Sequence, residues 1–171
     1  EDFAQVFDIL PSDKYPEGSP RGKNTEPVLS YASIGRVIWR VCGADDFVEY
    51  VRRLVFIVLT GNADAHLKNW SLVYPDRLRP RLSPAYDLVA VSAVDPQFRR
   101  LALKLAGKRE FPYIRREHFL RLAELCHAEG VDIAATVAET VDRFKATWSG
   151  QKNQFDMLDA HRQRLDEHLR G

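Results

Sequence analysis

The stretch that most constrains this chain is Ala44 to Thr60, ADDFVEYVRRLVFIVLT, which turns continuously apolar at Leu54 to Leu59 and breaks at Gly61-Asn62. Its spacing predicts one helix, with Asp45 or its neighbour as the cap and the Gly-Asn pair as the stop. A helix apolar on every side is stable only where other elements surround it. This one must run through the centre of a core and deliver the next residues, TGNADAHLKN, onto a loop with rigid, buried support. The apolar run falls far short of the ~20 residues needed to cross a bilayer, so a membrane span is excluded.

The surrounding text supplies the rest of that core. Residues 1–10 predict a short helix or its end, and Ser30 to Val41 a longer helix. Pro11 to Pro27 between them is rich in Pro, Gly, Lys and Ser and predicts a loop. Its GSPRG, Gly18 to Gly22, has the look of a phosphate loop, but Pro20 interrupts it and neither a preceding strand nor a lysine-serine ending is present. Trp70 to Tyr74 and Arg81 to Ser83 read as short β-stretches joined by PDRLRP, a hairpin or small ribbon. Leu101 to Leu105 fits either a strand or a helix start.

Three helical stripes follow: Phe119, Leu122, Ala123 and Cys126; then Val131, Ala134, Ala138, Val141, Phe144 and Trp148; then Phe155, Leu158, Leu165 and Leu169, with Gly150 to Asn153 as connector. His118, His127, His161 and His168 fall on polar helical positions and read as solvated surface. With 171 residues, 45% apolar and 29% charged, the chain fits one globular domain rather than two. The expected class is α+β, mainly α.

Only Cys42 and Cys126 occur, far apart and without a paired motif, so neither a disulfide framework nor a cysteine metal site is indicated, and a reducing cytoplasm fits. Net charge is +1 but unevenly spread. Residues 76–121 hold eleven Lys and Arg against five Asp and Glu, and residues 1–50 hold five against nine. Such a basic segment suits nucleotide phosphate or an acidic substrate, or is a solvated surface. Aromatic residues are not interleaved with it, which argues against direct nucleic-acid binding.

The chemistry-bearing stretch is Asp64-Ala-His-Leu-Lys-Asn69, followed past the ribbon by Ser-Pro-Ala-Tyr-Asp87. Kinase-like enzymes place a catalytic-loop Asp five residues before an Asn, and a second Asp beyond a short ribbon. One loop then offers a carboxylate to the attacking hydroxyl and an amide oxygen to Mg²⁺, while the second carboxylate completes the metal site. Mg²⁺ takes hard oxygen ligands and keeps several waters, so Asn69 and Asp87 with nucleotide phosphates suffice. Asp64 would accept or orient the substrate proton, and Lys68 would place its ammonium near the transferring phosphate. His66 joins the cofactor-binding set by ordering the loop. Taken alone, the Asp-to-Asn spacing is a weak signal, because both are common loop residues.

The wider sequence resembles a known family. GNADAHLKNWSL followed by RLSPAYDLVAV is similar to the HipA-type serine/threonine kinases, toxins of bacterial toxin–antitoxin pairs, whose catalytic loop reads close to TDAHxKNFS and whose metal Asp lies in LxPxYD. EDFAQVFDILPSDKY and LALKLAGKREFPYIRREHFLRLAE also match, in the family order, so the likeness covers residues 1–130 well. The resemblance implies a kinase C-terminal lobe with ATP and Mg²⁺ as cofactors, Asp64 as catalytic Asp, Lys68 as catalytic-loop lysine, and Asn69 and Asp87 as metal ligands. It further implies a protein substrate, such as an aminoacyl-tRNA synthetase, and a DNA-binding antitoxin as partner.

The chain departs from the family in having no Gly-rich nucleotide loop and no strand lysine. The N-terminal nucleotide-binding lobe is therefore expected to precede Glu1, which makes this chain a fragment or one partner of a split kinase. Two other readings stay open. One is a metal-dependent hydrolase on Asp64, His66 and Asp87, and the other a kinase lobe kept only to bind an antitoxin or another protein.

Overall fold

A computed structural model describes residues 1–9 and 29–170. The Pro11 to Pro27 loop and its GSPRG segment lie outside the described residues. The elements are α1 (Phe3–Val6), α2 (Tyr31–Val41), α3 (Ala44–Thr60), β1 (Leu72–Val73), β2 (Arg81–Leu82), α4 (Val91–Val94), β3 (Arg100–Leu105), β4 (Lys108–Glu110), α5 (Arg116–Cys126), α6 (Ile133–Gln151) and α7 (Asp159–His168). The class is α+β, mainly α: helices form the body and the strands make two small antiparallel pairs, β1 with β2 and β3 with β4. Leu101 to Leu105, left open by the sequence, is strand, and its residues are mostly buried.

Helix α3 occupies the centre, as its apolar second half requires. It packs against α2 and α6, while α5 closes over α2 and α6. Phe47, Tyr50, Val51 and Leu54 are fully buried along it. Burying a side chain of that size stabilises by about 1.5–3 kcal/mol, so this face alone outweighs the single caps and surface pairs. The helix ends where Gly61 takes a left-handed conformation, φ +64°. A methyl group there would stand 1.8 Å from Ser92 Oγ, so both the backbone angle and the close approach require glycine.

The helix spans Ala44–Thr60 as expected, but its cap is Gly43 rather than Asp45 or an adjoining residue, and Asp45 and Asp46 lie in the first turn. The Asp46 carboxylate is engaged elsewhere: it accepts from Arg81 Nε at 2.7 Å, Arg81 Nη2 at 3.0 Å and the Leu82 N–H at 3.1 Å, pinning β2 to the start of α3. Helix α1 is capped reciprocally, the Asp2 carboxylate accepting from the Gln5 N–H and the Gln5 side chain from the Asp2 N–H.

Three further expectations change. In α6 the buried face is Ile133, Thr136 and Val137, continued by half-buried Val141, Phe144 and Trp148, and Ala138 is exposed. A seam inclined along the helix carries these residues, and small Ala138 falls beside it. Phe155 and Leu158 precede α7 rather than belonging to it and are largely exposed; Leu165 is its buried anchor. His168 is no solvated surface residue, since its Nε2 lies 2.7 Å from the Val58 carbonyl and its ring meets Phe111 edge-on.

Candidate active site

Residues 61–69 leave α3 as a tight loop closed by a 3-10 turn at Leu67–Asn69. The loop rests on an aromatic platform. Tyr31, fully buried at the start of α2, donates its hydroxyl to the Ala65 carbonyl at 3.0 Å, and the Tyr50 hydroxyl donates to the Tyr31 carbonyl at 2.7 Å. Trp70 packs edge-on against Tyr50 with ring centres 4.7 Å apart. Burial pushes the Tyr31 hydroxyl well above its ordinary pKa, so it remains a donor. The loop backbone is thereby fixed from below by apolar packing and two satisfied hydroxyls.

Its upper side brings the expected residues together. Asn69 Nδ2 donates to the Asp64 carbonyl at 3.1 Å and to Asp87 Oδ2 at 2.8 Å, so one amide ties the loop's beginning to the second carboxylate. The Asn69 Oδ1 and one Asp87 oxygen then remain for a ligand. The Asp64 side chain is 49% exposed. His66 is buried, with Nε2 3.9 Å from Asp64 Oδ1, too long for a hydrogen bond but close enough for charge to be felt if the ring is protonated. Lys68 is half-buried, and its carbonyl accepts from the Tyr86 hydroxyl at 2.7 Å.

Asp87 sits at φ +53°, in the left-handed region that Asp enters more readily than most residues. Two contacts hold its segment there. Arg53 Nη1 donates to the Ser83 carbonyl at 2.6 Å, and Tyr86 bridges Lys68 and Ser71 through its hydroxyl. Sequence reasoning took Asn62 only as a helix stop. It is 1% exposed, accepts from the Asp64 N–H at 3.0 Å and donates to the Asp87 carbonyl at 3.4 Å, cross-linking the two carboxylate-bearing segments. The ribbon also gains an edge that was not foreseen: the Leu72 N–H donates to the Glu1 carbonyl and the Phe3 N–H to the Trp70 carbonyl.

The donor set at the Asn69–Asp87 pair is oxygen only, an amide and a carboxylate, which fits a hard divalent cation such as Mg²⁺. Among the described residues no three of His, Cys, Asp and Glu converge on one point, so the hydrolase reading gains no third close ligand. The described residues also contain no helix long and apolar enough to cross a membrane. The loop thus sets an Asp five residues before an Asn, and a second Asp bonded to that Asn, on a buried aromatic platform.

Residues 1–148 match the family of the HipA-like C-terminal domain, and the chain belongs to that family. It is 37% identical over 168 residues, 98% of its length, to the Sinorhizobium fredii protein called "Putative kinase Y4dM", of which it spans 38%. It is 35% identical over 95 residues to a Haemophilus influenzae protein called "Putative kinase", covering 52% of this chain and 27% of that one. In structure it is similar to the HipA chain of a Shewanella oneidensis toxin–antitoxin complex with HipB and operator DNA. There the TM-score is 0.75 at 20% identity, over 99% of this chain and 42% of that one. The chain thus spans about two-fifths of the curated relative it matches over most of its length.

Proposed function

We propose that this chain is the catalytic lobe of an ATP-dependent serine/threonine protein kinase of the HipA toxin type. The observation that carries the proposal is the Asn69 amide, bonded both to the Asp64 carbonyl and to the Asp87 carboxylate, in a family whose curated relatives are called kinases. Asp64 orients the substrate hydroxyl and takes its proton, and Lys68 lies on the same loop to offset phosphate charge. Asn69 and Asp87 are the residues that would hold Mg²⁺, which supplies neutralisation of the nucleotide's phosphate oxygens when bound with ATP. His66 and Asn62 keep the loop in shape.

The space beside Asn69 and Asp87 holds only about 10 Å³, whereas ligand sites commonly run to about 300 Å³ or more. In the proposed enzyme the other wall of the nucleotide site comes from the N-terminal lobe of the longer protein. The substrate is a protein hydroxyl, with an aminoacyl-tRNA synthetase as the kind the family suggests, in a reducing cytoplasm. A DNA-binding antitoxin is the proposed partner, a reading supported by the HipB-bound Shewanella relative.

In the complete protein, Asp87→Asn is expected to abolish transfer of labelled phosphate while the far-ultraviolet spectrum stays unchanged. Asp64→Asn is expected to leave Mg²⁺–ATP affinity in calorimetry nearly intact and to slow transfer by about 10²–10⁴. Loss of nucleotide binding on Asp64 substitution, with no effect from Asp87, would reverse the two assignments. A complete protein that transfers no phosphate yet binds its antitoxin would point to the interaction-module reading instead.

A further inference from the structure

A cleft of about 440 Å³ opens between the last turn of α3, residues 92–99, residues 111–115 and the end of α7, and it shares no lining residue with the Asn69–Asp87 site. Its apolar lining includes half-buried Leu59 and buried Phe111 and Ile114. Its charged lining is Arg99, Arg115 and Arg164 against Glu167. Each guanidinium is held from one side by main-chain carbonyls. Arg99 Nε donates to Pro96 at 2.9 Å, Arg115 Nη1 to Pro112 at 2.6 Å and Ile114 at 2.9 Å, and Arg164 Nη1 to Ala93 at 3.1 Å and Val94 at 2.9 Å.

Among the described residues none of the three arginines meets a carboxylate, whereas Arg52, Arg53, Arg81, Arg121 and Arg162 all do. Glu167 accepts instead from Gln163 Nε2 at 3.0 Å. A guanidinium carries five N–H donors, so each of these arginines keeps at least three for a ligand. Because carbonyls already fix them, little side-chain freedom remains to be lost on binding. The formal charge of the lining, three arginines less one glutamate, matches a phosphate monoester of charge about −2.

We propose that this cleft binds a phosphorylated serine or threonine within a peptide, the phosphoryl group on the three arginines and a neighbouring apolar side chain against Leu59, Phe111 and Ile114. Arginine clusters recognise phosphorylated motifs through charge-assisted, bidentate hydrogen bonds. Two lining residues, Val58 and Ser92, adjoin in sequence the two segments of the candidate active site. The Val58 carbonyl on α3 meets His168, and the Ser92 N–H, five residues past Asp87, donates to the Gly61 carbonyl at 3.1 Å. The site stands independently of the kinase reading.

The test is fluorescence anisotropy of a fluorescein-labelled Ala-Leu-phosphoserine-Phe-Ala peptide titrated with the 171-residue chain. The expected result is affinity at least about tenfold above that of the unphosphorylated peptide and of a glutamate-substituted one, with inorganic phosphate competing. Arg99→Gln combined with Arg115→Gln should weaken binding by about tenfold or more with circular dichroism unchanged, and Glu167→Gln should tighten it. Should the double variant fail to fold, nuclear magnetic resonance of the unaltered chain decides: the phosphopeptide must shift the Nε–H signals of the cleft arginines. Equal affinity for phosphorylated and unphosphorylated peptide, binding of inorganic phosphate but not of the peptide, unchanged affinity in a folded double variant, or unmoved arginine signals would each overturn the proposal.

Discussion

Asn62 shows how much of this site depends on a residue with no chemistry of its own. Its side chain is sealed from water and joins the Asp64 N–H to the Asp87 carbonyl, so it fixes both carboxylates relative to one another. Removing it leaves a partly buried N–H without its acceptor, at a cost of about 1–3 kcal/mol. Asn62→Ala is therefore expected to lower the unfolding free energy measured by urea denaturation by that amount. In the proposed kinase it should also reduce turnover by about 10–100-fold, because misplacement of reacting groups by an ångström has effects of that order. An unchanged turnover in a folded Asn62→Ala protein would remove it from the positioning set. In the sequence Asn62 follows a helix-stopping glycine, and nothing in that pair distinguishes a buried cross-link from a turn residue. The roles proposed for Asp64 and Asn69, by contrast, were legible in their five-residue spacing once the flanking motifs were read with them.

At the scale of elements, α2 and α5 approach closely at Gly35. A Cβ at Gly35 would stand 2.7 Å from Cys126 Sγ and 3.2 Å from Tyr50 Cε1, so the glycine is what lets α5 approach. Gly35→Ala gains about 1 kcal/mol of helix propensity but overpacks the joint by about 1–3 kcal/mol. The net expectation is destabilisation by about 1 kcal/mol in urea denaturation, largely relieved when Cys126→Ala is added, as a double-mutant cycle would show. Burial pushes the Cys126 thiol up to about 12, so it serves here as a small apolar group that stays protonated. The apolar stripe of α5 was visible in sequence as a 3.6-residue period. That α2 would meet it at a glycine was not, since periodicity gives the face of a helix and not its neighbour.

The pH response belongs to the whole molecule, because Asp46, one of the carboxyls that shape it, links distant parts of the chain. Burial acts to raise the pKa of Asp46, but the hydrogen bonds from Arg81 and from the Leu82 N–H outweigh it, and the carboxyl is held below its ordinary value. A carboxylate with a depressed folded-state pKa stabilises the fold above its unfolded value of about 3.9, and that stability is lost as pH falls through the folded value. Stability should therefore hold at neutral pH and decline below about pH 4. Asp46→Asn, which removes a hydrogen-bonded charge, is expected to cost about 1.5–3 kcal/mol at pH 7 and progressively less toward pH 3, measured by urea denaturation at both. A constant difference across that range would show that the pair does not govern the acid limb.

The central helix, the loop it delivers, the ribbon and the mainly α class followed from apolar run length, period and turn residues, which act locally and are written in order along the chain. The engagement of Asp46 by β2, the pairing of residues 1–3 with the ribbon and the docking of His168 on Val58 depended on which distant segments meet. Those meetings are set by packing of whole surfaces, in which a polar side chain takes whatever partner the fold brings within reach, and no local pattern encodes that partner.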